Sequence, residues 1–385
     1  MIQRDAEAEL RKVAGMFKAI AVVGPRQSGK TTLVKYVFAE KTYVSLENPD
    51  TRSFALQDPR GFLAQFPKGA ILDEAQRTPE LFSYLQEILD NLSGTGHFII
   101  TGSNNFLLQE SISQSLAGRV AYLYLLPFSH KELSGLENLE VFSYIFKGSY
   151  PPIYSQPVEA GEWYRNYIST YIERDVRQLK NISNLNLFER FVKLCAGRIG
   201  NLLNINSLAM EAGIDNKTAL SWIGILESSF ILFRLQPHYK SFNKRLVKMP
   251  KIYFYDTGLV CSLLGIQNSE QLVWHPYIGN LFENMMISEI VKYRFNRGQK
   301  PDIYFWRDNY GHEVDIVLEK GQELLPIEIK SGKTINPDML KGLEYWLKLS
   351  DCKKGYLLYS GDESRLSNKI EIVPWDKQEK LYATF

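Results

Sequence analysis

The chain has 385 residues, 45% of them apolar and 23% charged, and its 45 Lys and Arg against 43 Asp and Glu leave a formal net charge of +2. Ordinary globular composition at this length suits roughly two to four domains, and the balanced charge excludes a chain-wide field for a polyanion or a membrane. Any such partner has to be read from local patches. Cys195, Cys261 and Cys352 are too scattered for a disulfide frame or a C-x-x-C metal site. No apolar window approaches the ~18 residues of a spanning helix, and residues 1–7 lack a basic stretch followed by an apolar one, so the expectation is a cytoplasmic protein with no membrane partner.

In chain order, the apolar run at 19–23 predicts a buried strand, and residues 32–38 read as a helix. Between them lies Gly24-Pro25-Arg26-Gln27-Ser28-Gly29-Lys30-Thr31, the complete form G-x-x-x-x-G-K-[ST], with Thr32 opening the helix. Strand, loop and helix in this order are what a triphosphate needs. The glycines let the backbone and the helix N-terminus face phosphate, Lys30 reaches the β/γ-phosphates, and the Thr31 hydroxyl holds Mg²⁺, so ATP and Mg²⁺ are the expected ligands.

A short β-like run at 42–46 is followed by the apolar residues 69–72 ending in Asp73 and Glu74. Such a strand delivers Asp73 to the metal shell, and Glu74, one residue on, can orient the water that attacks the γ-phosphate. The next strand, 97–101, runs into Gly102 and Ser103, which makes Thr101 or Ser103 a candidate sensor of the γ-phosphate at the carboxyl edge of the sheet. Arg119 separates a helix-like stretch at 111–118 from a strand-like one at 120–126. It is either a guanidinium offered to a neighbouring copy's nucleotide, which implies a homo-oligomer, or a helix-end cation favoured by the dipole.

With Gly24-Pro25-Arg26-Gln27, Ile71-Leu72-Asp73-Glu74-Ala75-Gln76-Arg77, Thr101-Gly102-Ser103 and Ser115-Leu116-Ala117-Gly118-Arg119-Val120, the chain resembles the bacterial and archaeal AAA-type ATPases that carry a DUF4143 carboxyl-terminal region. The resemblance covers essentially the whole chain and implies an α/β protein: a P-loop parallel-sheet ATPase core, a helical lid, a winged helix-turn-helix and a C-terminal nuclease-like domain. It implies no particular substrate. The expected divisions are 1–126 for the core, 127–195 for the lid and linker, 196–250 for the winged helix and a basic segment, and 251–385 for the terminal domain.

Within the middle region, residues 163–180 read as a lid helix on which Arg174 and Arg177 either sense phosphate or form ordinary i,i+3 and i,i+4 ion pairs. Residues 207–212, Gly213 and 217–228 have the layout of a helix-turn-helix, and 230–235 that of a wing strand. The second helix offers a polyanion little, because Lys217 is offset by Asp215 and Glu227, so a role in subunit or domain contact competes with DNA binding. Next to it, Lys240, Lys244, Arg245, Lys248 and Lys251 stand with no acid between them, interleaved with Tyr239 and Phe242. That segment is either a nucleic-acid contact or a solvated basic loop.

The last region reads as helix 278–294, three strands, helix 337–348 and a strand at 355–359, an αβββαβ order that resembles the restriction-endonuclease-like, PD-(D/E)xK fold. Residues two apart on a strand share a face, so Glu328 and Lys330 point together and Asp315 on the adjoining strand can meet them. Asp315, Glu328 and Glu283 are candidate ligands of a second Mg²⁺ or a Mn²⁺, with Lys330 positioning water or stabilising charge on phosphate. No proline precedes Asp315, and the alternative is a buried ion-pair cluster. Taken together, the expected function is Mg-dependent ATP hydrolysis driving a conformational cycle coupled to a nucleic-acid-directed terminal domain with nuclease-like chemistry. A nucleotide-held switch or scaffold is the competing class, and a DNA-binding regulator a third.

Overall fold

The apolar runs of the first 126 residues become one five-stranded sheet in the order β2-β3-β4-β1-β5, in the computed structural model of the protein. The structure describes residues 2–103, 112, 115–136, 139–170, 182, 184–239, 242, 246–321 and 323–382. Arg174, Arg177, Lys240, Lys244 and Arg245 lie outside these residues, as does most of the helix expected at 111–118.

The strands are β1 (Ala19–Val23), β2 (Thr42–Ser45), β3 (Ala70–Asp73), β4 (Phe98–Gly102) and β5 (Val120–Tyr124), and every pairing is parallel. All five residues of β1 are buried, as a central strand covered on both faces requires. Ile20 and Val22 pack against Leu33 and Val34 of the helix Lys30–Val37, while Ala21 and Val23 face the larger core on the other side. Each fully buried aliphatic side chain stabilises this arrangement by about 1.5–3 kcal/mol. The chain steps from β1 outward to β2, returns through β3 and β4, and then crosses to β5, so the crevice lies beyond the carboxyl ends of β1, β3 and β4.

After β5 come the helices His130–Ser134, Val141–Lys147, Pro151–Ser155 and Ala160–Thr170. Tyr150, Trp163 and Tyr167 hold them together, with ring centroids 5.0 Å apart in each pair. Helix Leu185–Ala196 then leads to the pair Ile205–Ala212 and Asn216–Ser228. Gly213, at φ 77, makes the turn between them, and Asp215 caps the second helix by accepting from Thr218 N at 3.0 Å. Trp222 locks the pair onto the preceding helix by edge-on contacts with Phe188 and Phe191.

Strands β6 (Leu232–Pro237) and β7 (Lys251–Phe254) form an antiparallel ribbon, and β6 also pairs in parallel with β8 (Ile303–Arg307) through Gln236 and Tyr304. One eight-stranded sheet therefore runs through the middle and terminal regions in the order β12-β13-β11-β10-β9-β8-β6-β7. Its other members are β9 (Glu313–Lys320), β10 (Glu323–Lys330), β11 (Gly355–Tyr359), β12 (Arg365–Ser367) and β13 (Ile370–Pro374). Together with the 18-residue helix Ile278–Phe295 and helix Lys341–Ser350, the expected αβββαβ order of the terminal region is present and is extended by two strands. Among the described residues no helix is long and apolar enough to cross a membrane.

Candidate functional site

The loop after β1 is shaped by backbone demands. A Cβ on Gly24 would stand 2.1 Å from the Leu125 carbonyl oxygen, and Gly29 has φ +93, so both positions require glycine. Gln27 also turns through positive φ at 59°. Lys30 is buried, and its ammonium donates to the carbonyls of Gly24 (3.0 Å) and Pro25 (2.7 Å), inside the loop. Ser28 Oγ is buried with no partner among the described residues, and a phosphate oxygen is the kind of acceptor such a hydroxyl lacks. Thr32 is exposed on the helix and takes no part in this arrangement.

Thr31 Oγ1 donates to both oxygens of Asp73, at 3.1 and 3.2 Å. Tyr43 donates to Oδ2 at 2.7 Å, and Thr101, fully buried, donates to Oδ1. Three hydroxyls from three elements thus hold one carboxylate beside the loop. Burial, followed by Asp73, pushes the Tyr43 phenol up to about 12, so it stays a donor at neutral pH. Thr101 lies behind Asp73, whereas Ser103, two residues on, donates to Glu74 Oε2 at 3.1 Å. Gln76 Nε2 donates to the same oxygen at 2.5 Å. Glu74 itself has left-handed backbone, φ 56 and ψ 42, which ends β3 and turns its side chain toward Ser103.

Arg119 sits where β5 begins, and β1 and β5 run parallel from Ala19 and Val120, so it is at the opposite sheet edge from the loop. Its guanidinium makes a two-pronged pair with Asp90 of the same chain, at 2.5 and 2.9 Å, so within one chain it does not reach the nucleotide loop. Arg4, which had no signal in sequence, is buried against the back of the loop. It donates to Ser28 O and Leu126 O, both at 2.7 Å, and to Glu132 Oε1 at 2.9 Å, with the Phe128 ring 4.8 Å away.

A second charged site lies on the large sheet. Lys330 Nζ is 2.6 Å from Glu328 Oε1 and 3.8 Å from Asp315 Oδ2, and Asp315 also accepts from Ile329 N at 2.8 Å. Glu283, from helix Ile278–Phe295, accepts from Tyr253 and from Lys251 Nζ (3.1 Å), and Lys251 also pairs with Glu313. The expectation that Lys251 belongs to an exposed basic segment is corrected. It is 3% exposed, because all of β7 is buried and Glu283 and Glu313 close over the ammonium. Lys248 is exposed.

The acids expected to share a metal do come together, but as partners of Lys251 and Lys330. Among the described residues no group of three His, Cys, Asp or Glu is placed to hold a metal ion. Burial pushes Glu328 up to about 8, reinforced by Asp315 and partly offset by Lys330. Burial likewise pushes Glu283 up to about 7, against the pull of Lys251. For Lys330 burial acts downward, yet Asp315 and Glu328 outweigh it and hold the ammonium above its usual range. Glu328 Oε2 is buried with no hydrogen-bond partner among the described residues.

Helix Ile278–Phe295 carries Glu283 of the second site and, further along, packs against the segment that follows the parallel sheet. Glu289 on it accepts from His130 N (2.8 Å), Tyr144 OH (2.7 Å) and Lys292 Nζ (2.8 Å), and Lys292 reaches Phe128 O at 2.9 Å. Burial alone would raise Glu289, but Lys292, Tyr144 and the His130 amide hold it below the usual carboxylate range. Glu283, at the second charged site, and Glu289, against His130 and Tyr144, are separated on this helix by about 9 Å of rise.

The parallel sheet and the loop with its strand-end acid define a P-loop protein of the AAA class: residues 16–134 match the AAA domain model. Residues 138–270 and 278–377 match two domains of unknown function, DUF8612 and DUF4143. The chain belongs to the family of the uncharacterized proteins Rv2008c of Mycobacterium tuberculosis and Mb2031c of Mycobacterium bovis. It is 30% identical to each over 385 residues, covering 97% of this chain and 84% of theirs. An uncharacterized protein of Haemophilus influenzae is 21% identical over 246 residues, 60% of this chain and 58% of that one. Among solved structures, the Walker-type ATPase PABY2304 of Pyrococcus abyssi is similar with a TM-score of 0.46 at 12% identity, over 68% of this chain and 96% of that one. AMPPCP-bound DnaA from Aquifex aeolicus has a TM-score of 0.31 at 14% identity, over 58% of this chain and 85% of that one.

Proposed function

We propose that the AAA domain binds and hydrolyses MgATP, and that its cycle is passed to the terminal domain through helix Ile278–Phe295. The observation that carries this reading is the meeting of Thr31 and Asp73 at 3.1 Å, loop hydroxyl against strand-end acid, with Glu74 one residue beyond. The loop residues Gly24–Thr31 and Lys30 would hold the triphosphate, and Thr31 and Asp73 the Mg²⁺, which would neutralise charge on the phosphates. Ser28, with its unpartnered hydroxyl, fits a phosphate contact. Glu74 is assigned to orient the attacking water. The test is phosphate release against Mg²⁺: wild-type chain turns over, and Glu74→Gln loses turnover by about 10²-fold or more while still binding mant-ATP. Equal turnover in that variant would sink the role of Glu74.

In this reading the helix-turn-helix with its ribbon is a winged helix used for contact between modules. Arg119 acts on a second copy only if that copy displaces Asp90, so Asp90→Ala should raise turnover at high protein concentration and not at low. For the terminal domain, a scaffold role is favoured over cutting by one observation: Lys251 and Lys330 already sit against Glu283, Asp315 and Glu328, the acids that would bind a second Mg²⁺ or a Mn²⁺. DNA remains the partner to test. Metal-dependent cutting of DNA or RNA that Lys330→Ala abolishes would overturn the scaffold role.

A further inference from the structure

We propose that Gln76 is a positioning residue for Glu74. This rests on the hydrolysis reading above and adds to it how the carboxylate is aimed. Side chains of successive strand residues point to opposite faces, so Asp73 and Glu74 would diverge if β3 simply continued. Two features bring them to one edge. The left-handed backbone at Glu74, an uncommon conformation for a residue with a Cβ, breaks the alternation. Thr101, on β4, and Ser103, just past its end, then take one acid each: Thr101 takes Asp73 and Ser103 takes Glu74.

Ser103 alone would leave the Glu74 carboxylate free to rotate about its one bond. Gln76, on the turn Ala75–Arg77, supplies the second donor to the same oxygen, Oε2, at 2.5 Å, and its amide nitrogen lies 3.5 Å from Ser103 Oγ. The amide orientation follows from chemistry, since Oε1 facing a carboxylate would be repelled. With Oε2 held from two sides, Oε1 is the oxygen assigned to water. Residues that hold the working group of a site in this way are what separates a site that is present from one that is aimed.

A second observation sets Gln76 apart from a packing residue. Its Oε1 is buried without a hydrogen-bond partner among the described residues. A buried orphan acceptor is destabilising, a cost an apolar side chain of the same shape would not carry. The position keeps an amide whose acceptor half is a liability because its donor half holds Glu74.

The test uses the full chain and two isosteric changes of different kind. Gln76→Met keeps the volume and removes both amide atoms, so the thermal midpoint should hold or rise. Meanwhile kcat for ATP should fall about 10-fold or more with KM and the mant-ATP Kd within about twofold. In a Glu74→Gln background the same change should cost nothing further, because the two residues act as a unit. If Gln76→Met keeps wild-type kcat, or lowers it by the same factor in both backgrounds, Gln76 does not act through Glu74. A wild-type chain that binds mant-ATP yet releases no phosphate overturns the hydrolysis reading and this assignment with it. A wild type that turns over while Gln76→Met matches it overturns the assignment alone.

Discussion

Lys251 carries the sharpest contrast at the residue scale. Lys251→Met would take the shared ammonium from the half-buried Glu283 and Glu313, leaving Glu313 to Arg307 and Glu283 without a cation among the described residues, and breaking a largely buried pair from one side costs about 3 kcal/mol. Lys248→Met, three residues away and exposed, should change stability by no more than about 0.5 kcal/mol. Urea denaturation of the two variants measures both, and a small effect at both positions would remove Lys251 from the network that supports the sheet. In sequence these lysines look alike, since both sit in a basic run and the acids that claim Lys251 come from β9 and a helix beyond it. Glu328 gives a pH-dependent counterpart. It titrates near 4.5 in an unfolded chain and at about 8 in the fold, so the neutral form is the one the fold favours. The stability it contributes is complete below about 4.5 and is lost as pH rises through about 8. Glu328→Gln stays neutral throughout, so the fall in melting temperature between pH 5 and pH 8.5 should be shallower in that variant. A fall as steep as wild type would mean that Glu328 does not titrate in this range.

Elements were legible where their signal is local and hidden where it is relational. The loop from Gly24 to Thr31 announces itself because its glycines answer to backbone geometry within eight residues. Gln76 stood in the quoted D-E-x-Q stretch, but its amide acquires meaning only once Glu74 adopts left-handed backbone. Tyr43 and Arg4 gave no signal, since a tyrosine on a short strand and an arginine near the start have many uses. The αβββαβ order was readable from apolar runs, whereas the pairing of β6 with β8 was not, because strand partners are chosen by tertiary packing. Helix Ile278–Phe295 likewise reads in sequence as one more helix, and only in the fold does it touch both halves. Its proposed role as the link predicts that MgATP slows amide exchange along 278–295. Glu289→Gln should erase that change while mant-ATP binding stays within about twofold. Unaltered nucleotide-dependent exchange in the variant would move the link elsewhere.

The whole molecule behaves as two sheets, and the second does not respect a boundary at 250. Because β6 and β7 are strands of the same sheet as β8 and β9, a chain cut between 250 and 251 would give each fragment an unpaired strand edge. Both pieces should be insoluble or unfolded when made alone. Limited proteolysis of the intact chain should leave β6 and β7 associated with β8 to β13. Recovery of a soluble, folded 251–385 fragment would show that the ribbon is dispensable. Arg4 adds a dimension of time. In chain order it comes before its carboxylate partner Glu132 by 128 residues. At ~5–20 residues per second that is a delay of roughly ten seconds. The back of the Gly24–Thr31 loop is therefore completed late in synthesis, after the strands it serves exist, and a nascent chain halted before Glu132 holds an Arg4 that can reach Ser28 and Leu126 but has no carboxylate to fix its charge.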